Sequence, residues 1–264
     1  LPEITSRARE MEVALKGKTI SEIEIIQPKS LNESPSAFKK HFKQAKINSV
    51  TNRGKWLIIE TSQGYLLLNL GMGGEILLVD RKKMPGKYRL VFDFSDQSSL
   101  AINFWWFGYA HFAPLDGLMK HPMVSKIGPN ALEVDAAQLK SIMGIRKKTL
   151  KTILLDQSEI AGIGNAYIHD ILFLAHLHPL RPANTLNDED IVSLVKAIHD
   201  GLEPSLSKHG AFYELTLHGE KGGFLLEDIL IGYREGKPCP VCKTPIEKIK
   251  TGSTSSFICP KCQT

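Results

Sequence analysis

The chain has 264 residues, 42% of them hydrophobic and 23% charged, which is the composition of a folded globular protein and excludes a disordered tail, a collagen-like chain and a coiled coil. Lys and Arg number 33 against 28 Asp and Glu, a formal charge of +5, which suits a polyanionic partner without requiring one. No run approaches the roughly eighteen apolar residues of a membrane span, and LPEITSRARE lacks the basic-then-apolar order of a secretion signal, so a cytoplasmic protein away from the membrane is expected, with length for two modest domains.

Pro2 suits a first helical turn through its fixed φ, and Glu3 suits the positive end of the helix dipole. Ile4, Ala8, Met11 and Leu15 share one face, so a helix over residues 1–16 is predicted. From Thr19 to Ala110 the segments ISEIEIIQ, KWLIIET, GYLLLNL, EILLVD, YRLVFDF and SLAINFWWF read as strands between short Gly, Ser, Asp and Lys turns. A helix, SAFKKHFKQA, interrupts them. So many short strands at close spacing point to an antiparallel sandwich or barrel-like unit over 1–112. Residues 113–134 carry prolines and no period and read as a linker.

Beyond the linker the period becomes helical. AAQLKSIM, TLKTILLD and IGNAYIHDILFLA are predicted helices, and Asn187 followed by Asp188, Glu189 and Asp190 opens another, with Ile191, Leu194, Val195, Ile198 and Leu202 as its buried stripe. A helical domain over 135–230 and a separate element over 231–264 follow. The fold class is α+β. No internal repeat is present.

All four cysteines, Cys239, Cys242, Cys259 and Cys262, lie in the last 26 residues as CPVC and CPKC. Two C-x2-C knuckles at this spacing let four thiolates converge tetrahedrally on one structural Zn2+. The competing reading, two disulfides, fits poorly with a reducing compartment. IEKIK and SSFIC around TGST form a β-hairpin with the metal at its base, and the metal supplies folding energy that so small a hairpin lacks.

Several segments, in order and spanning nearly the whole chain, resemble the formamidopyrimidine-DNA glycosylase and endonuclease VIII family: LPEITSRAREM, NRGKWLIIE, NLGMGG, KKTLKTILLDQSEIAGIGNAYIHDILFLAHLHPLRPA, IGYREGKPCPVCKTPI and SFICPKCQT. The resemblance implies an N-terminal β-sandwich with flanking helices, then a helix-two-turns-helix domain with a zinc finger. It also implies a DNA repair enzyme that flips a damaged base out of the duplex, excises it and cleaves the abasic site, acting as a monomer on damaged or abasic DNA. Met72 matches the apolar side chain that fills the stack, with Gly71, Gly73 and Gly74 letting the backbone approach DNA. Lys55 matches a lysine that contacts phosphate and lesion. Asn165, expected near a helix N-terminus, matches the turn that holds the DNA backbone, and Arg146, Lys147, Lys148 and Lys151 make a basic run that suits a phosphate track. His176 and His178, two apart, do not share a helix face and are read as structural.

In the family's chemistry the amine of an N-terminal proline attacks the sugar C1′, and the neighbouring glutamate handles the proton. Two registers are open. In one, Pro2 and Glu3 are that pair, provided Pro2 is the free terminus; in the favoured one, LPEITSRAREM matches the family's second Leu-Pro-Glu and Glu3 is a second carboxylate near the lesion. The family's zinc-hairpin arginine is replaced by Thr254, which cannot form a charged clamp. Trp105 and Trp106 stand where the oxidised-guanine branch has arginines, with Phe107 retained; the indoles either stack on bases or pack in the sandwich core. Asn69 replaces a frequent histidine. Three functional readings follow: an active glycosylase and lyase, a homologue that binds abasic, distorted or single-stranded nucleic acid without lyase chemistry, or a scaffold.

Overall fold

The computed structural model describes residues 2–144, 147–252 and 254–264; Leu1 and Arg146 lie outside them. The first helix, α1 (Pro2–Leu15), buries Ala8, Met11 and Leu15, the face its period marks. A second, α2 (Pro35–Phe42), opens on Ser34, whose hydroxyl accepts the Ala37 N–H, and drives Phe38 and Phe42 into the same core. Eight strands follow as β1 (Ile20–Ile25), β2 (Ile47–Arg53), β3 (Trp56–Thr61), β4 (Gly64–Asn69), β5 (Gly74–Asp80), β6 (Leu90–Phe94), β7 (Ser98–Phe104) and β8 (Tyr109–Ala113). They pair antiparallel into two four-stranded sheets, β1-β6-β7-β5 and β2-β3-β4-β8.

Three strands depart from the sequence reading, and one of them, β8 (Tyr109–Ala113), lies beyond the last predicted segment. β2 is not among the predicted segments because a register shift between Ile47 and Ser49 puts its buried residues, Ile47 and Val50, three apart and erases the alternation of period two. β7 stops at Phe104, one residue short of the indoles. Chain order also misleads about unit boundaries. One compact unit comprises Glu3–Lys126 together with His209–Gly223, and the other comprises Ile127–Lys208 with Phe224–Thr264. The returning segment adds Leu217 to the sandwich core; its N–H donates to the Glu10 carboxylate (2.7 Å) and its carbonyl accepts from Leu78 (2.8 Å).

The second unit contains α3 (Ala136–Met143), α4 (Leu150–Leu154), α5 (Ile168–Leu174) and α6 (Asp188–Ser207), then a hairpin of β9 (Glu247–Thr251) and β10 (Thr254–Ile258). Asp135 with Gln138 and Asn187 with Asp190 form reciprocal capping boxes that start α3 and α6. Helices α5 and α6 cross closely at Gly201, where a Cβ would stand 2.6 Å from Ile171 Cγ1. The Tyr167 and Ser205 hydroxyls share a hydrogen bond of 2.7 Å.

In the sandwich unit a histidine pair ties β8 to the segment after it. His121 Nδ1 accepts from the Val124 N–H (3.2 Å), so its Nε2 carries a proton and donates to His111 Nδ1 (3.0 Å). Both rings are therefore neutral. Burial, and then the neighbouring His121, hold His111 down at about 4, and burial lowers His121 as well. An unfolded histidine protonates near 6.5, so between there and about 4 the unfolded chain takes up protons that the folded pair refuses, and stability falls with pH. The melting temperature is expected to drop from pH 7 to pH 4.5, less steeply in His111→Gln; scanning calorimetry across that range checks it.

Candidate nucleic-acid interface and zinc centre

The sandwich unit presents its candidate residues on turns, where backbone geometry, not strand alternation, aims them. Arg53 pairs with Trp56, which leaves Gly54 and Lys55 as a two-residue turn; Gly54 takes φ +56° and Lys55 points outward. Lys55 is thus a turn residue, not one on a strand face. The β4–β5 turn is held from within: Asn69 Oδ1 accepts the Gly71 N–H (2.7 Å) and the Gly73 N–H reaches the Leu70 carbonyl (3.0 Å). Asn69 therefore shapes the turn that carries Met72, which is 76% exposed.

A second loop lies against this turn. The Trp105 N–H donates to the Gly73 carbonyl (3.1 Å). A Cβ on Gly71 would stand 2.4 Å from the Phe107 carbonyl oxygen, and one on Gly73 2.6 Å from the Trp105 ring; both glycines also have positive φ. Trp106 is 76%, Trp105 47% and Phe107 44% exposed. The alternative in which the indoles pack in the core is overturned, because the strand ends before them and Phe104 fills that place. Phe107 contacts Tyr109 edge-on, and Tyr109 stacks on the buried Trp56.

The start of α1 faces the returning segment. Gly210 packs on Glu3, and the Arg7 guanidinium pairs with Glu10 within reach of Glu214. Burial pushes the Glu214 carboxyl up, Glu3 adds to the rise and Arg7 opposes it. Glu214 has no counterpart among the residues singled out from the sequence. HGAFYELTLHGEKGG has no period of two or 3.6, and only its glycines hint that it folds back as turns.

In the second unit Lys147 and Lys148 are exposed, while Lys151 is buried at 3% exposure. The reading of Lys151 as part of a basic run that suits a phosphate track is corrected, because α4 turns it inward. Its ammonium donates to Thr251 Oγ1 (3.0 Å), Thr254 Oγ1 (3.0 Å), the Ser255 carbonyl (2.7 Å) and Ser256 Oγ (2.9 Å), four neutral oxygens on the hairpin. Burial lowers its pKa. Thr149, Lys151, Thr152, Thr251 and Thr254 line a cleft of about 440 Å³ between α4 and the hairpin. Asn165 is exposed in a turn, three residues before the first residue of α5 and two before its N-cap, Tyr167, so it is not the cap.

The four cysteine Sγ atoms lie within 4.8 Å of one another, Cys242 to Cys259 at 3.4 Å and Cys239 to Cys262 at 3.9 Å, with no disulfide. Sulfurs bound at about 2.3 Å to one tetrahedral ion stand a little under 4 Å apart, so the set fits one structural Zn2+. His176 Nδ1 meets the Cys262 carbonyl (3.1 Å), and the His178 N–H donates to the Thr264 carbonyl (3.0 Å), so both histidines brace the knuckle from outside. Asp170 accepts three backbone N–H bonds, from Leu230, Ile231 and Gly232, and fixes the lead into the hairpin.

Three family models match in order: the formamidopyrimidine-DNA glycosylase N-terminal domain over residues 1–103, the H2TH domain of the same enzymes over 127–214, and the zinc finger found in FPG and IleRS over 236–264. The chain belongs to the formamidopyrimidine-DNA glycosylase family. A formamidopyrimidine-DNA glycosylase of Lactiplantibacillus plantarum is 34% identical over 98% of this chain and 97% of its own length, and one of Mycoplasma mobile is 32% identical over 100% and 98%. The Lactococcus lactis Fpg bound to DNA containing an abasic site superposes with a TM-score of 0.91 at 27% identity, covering 100% of this chain and 98% of that one. Its complex with DNA containing N7-benzyl-Fapy-dG gives 0.90 at 27%, over 99% and 98%. The glycosylase family's architecture of sandwich, H2TH domain and zinc hairpin is this chain's own, and the readings as a lyase-free binder or a scaffold are not favoured. No helix among the described residues is long and apolar enough to cross a membrane.

Elemental analysis should find about one zinc per chain. Cys259→Ser should release it and unfold the hairpin, seen as loss of protease resistance beyond residue 235. Lys151→Met leaves hairpin hydroxyls without their donor and should cost about 1–3 kcal/mol in denaturant unfolding, with the zinc content unchanged.

Proposed function

We propose that this chain excises oxidised, ring-damaged bases from duplex DNA and cleaves the resulting abasic site, as a monomer in the cytoplasm. The observation that carries the reading is Met72, raised on a glycine turn that the aromatic loop clamps from behind, in a chain whose three family domains match in order. A base in a duplex is out of reach of a side chain, so extrusion has to come first, and an apolar residue on a rigid turn lowers its cost by filling the gap. Four reduced cysteines grouped on one metal site suit a reducing compartment.

The roles follow from placement. Lys55, on its exposed turn, meets phosphate beside the lesion. Lys147, Lys148 and exposed Asn165 hold backbone phosphates, which position the duplex and carry no sequence information. Lys151 contributes indirectly: its charge holds the hairpin against α4, at a threonine-lined cleft that also carries the carboxylate of Asp156. Trp106 and Phe107 stack on bases next to Met72. Glu3, at the start of α1, handles the proton of sugar or base. The nucleophile is a terminal proline amine, about half neutral near its pKa of roughly 7.7–8.0. Pro2 takes that role where its nitrogen is free; acylated by Leu1 it is an amide and has no basic lone pair.

Borohydride trapping on duplex DNA with one abasic site, using full-length protein of verified N-terminal sequence, tests the reading. A covalent adduct that disappears when the terminal amine is blocked is expected; no adduct from a protein with a free proline terminus would overturn it. In a separate measurement, binding should weaken with salt at about −0.9 in log K per log salt for each phosphate neutralised. Lys147→Ala and Lys148→Ala should each reduce the slope by about one contact, equally on all sequences.

A further inference from the structure

The tip formed by the two loops is unusual in what it lacks. Residues 70–74 are Leu, Gly, Met, Gly, Gly and residues 104–108 are Phe, Trp, Trp, Phe, Gly, so no side chain there carries a charge, an amide or a hydroxyl. Two amides flank the tip: Asn69 spends its oxygen on the Gly71 N–H, and Asn103 lies within β7, paired with Glu75; the Gly73 and Trp105 N–H groups are taken by the carbonyls of Leu70 and Gly73. The remaining side-chain polar atoms are two indole N–H groups, each a single donor with no acceptor. A bidentate contact, made by two polar atoms of one side chain, separates right from wrong base by roughly 5- to 150-fold, and no side chain at this tip offers two such atoms. Stacking on an aromatic face accepts every base because every base has a π-face.

The tip is also tightly packed from behind. Gly71 and Gly73 touch Phe107 and Trp105 so closely that neither loop can shift without the other, and these contacts flank the two most exposed side chains of the tip, Met72 and Trp106. A preformed apolar wedge needs no rearrangement to suit a particular partner base.

We infer that this chain fills the gap left by an extruded nucleotide through stacking alone, with Trp106 as the principal platform, and is indifferent to the base opposite the lesion. The inference rests on the proposed function and adds its substrate range: the same lesion is handled opposite any of the four bases.

The test measures binding of full-length protein to duplexes that carry one tetrahydrofuran abasic-site analogue opposite A, C, G or T, beside the undamaged duplex of the same sequence. The four affinities are expected to agree within about threefold. Tenfold or greater preference for one opposite base would overturn the inference while leaving the proposed function intact, whereas failure to prefer any abasic duplex over undamaged DNA would remove the proposed function and the inference with it. Trp106→Ala should weaken all four abasic duplexes by a common factor of roughly ten; a loss confined to one opposite base would count against it. Indole emission gives a direct readout once the three tryptophans are separated: Trp56 is buried, Trp105 is half-exposed against the Gly73 turn and Trp106 is exposed, so Trp105→Phe is the control for Trp106→Phe and should keep most of the quench. Binding should quench the emission of the wild type, and Trp106→Phe should lose most of the quench while keeping most of the affinity. Unquenched emission in the saturated wild-type complex would overturn the stacking role.

Discussion

A buried ammonium must be surrounded by oxygen, and Lys151 meets that requirement by drawing four oxygens of the zinc hairpin onto α4. Three ammonium protons serve four acceptors, so the hydroxyls of Thr251, Thr254 and Ser256 have to stay close and correctly turned. Thr251 and Ser256 are hydrogen-bonded to each other as well, at 2.9 Å. The hairpin alone is too small to hold a shape. It is fixed at its base by four sulfurs that fit one metal ion, at its strands by Lys151, and at its flank by His169, whose Nδ1 accepts the Phe257 N–H. The cleft beside Lys151 exists because those three constraints act on one short element.

The sandwich unit solves a different problem, that of exposing large apolar side chains without letting them collapse into the core. Its answer is to place them beyond strand ends. Phe104 completes the core at the last residue of β7, and the following residues leave the sheet and lie over a glycine turn. Exposed apolar side chains gathered on one tip are the kind of patch that marks an interaction site. The carboxylates of Glu3, Glu10 and Glu214 gather around Arg7 at the start of α1.

The family relationship explains the shared scaffold, and the departures show which parts of it are exchangeable. Thr254 lacks a guanidinium, yet its hydroxyl is one of the four oxygens on Lys151. Asn69 occupies a frequent histidine position and holds the turn through a single acceptor oxygen. In both places a neutral hydrogen-bonding side chain is spent on the local structure.

Much was legible in the residues alone: the α1 face, six of the eight sandwich strands, the capped start of α6, the zinc knuckles and the hairpin. Each is local, written in periods of 2 or 3.6 or in a fixed spacing of ligands, so neighbours in the chain suffice to specify it. Tertiary structure decided the rest. β2 was hidden because a bulge breaks its alternation, and the indoles at 105 and 106 were ambiguous because no local pattern says where a strand stops. Lys151 looked like one more surface lysine until the hairpin a hundred residues later supplied its acceptors. Glu214 and the returning segment 209–223 carry no period at all, since their partners, Glu3, Arg7 and Glu10, are two hundred residues away in sequence. Long-range contacts of that kind leave no imprint on a window of neighbouring residues, and only the closed chain can bring them together.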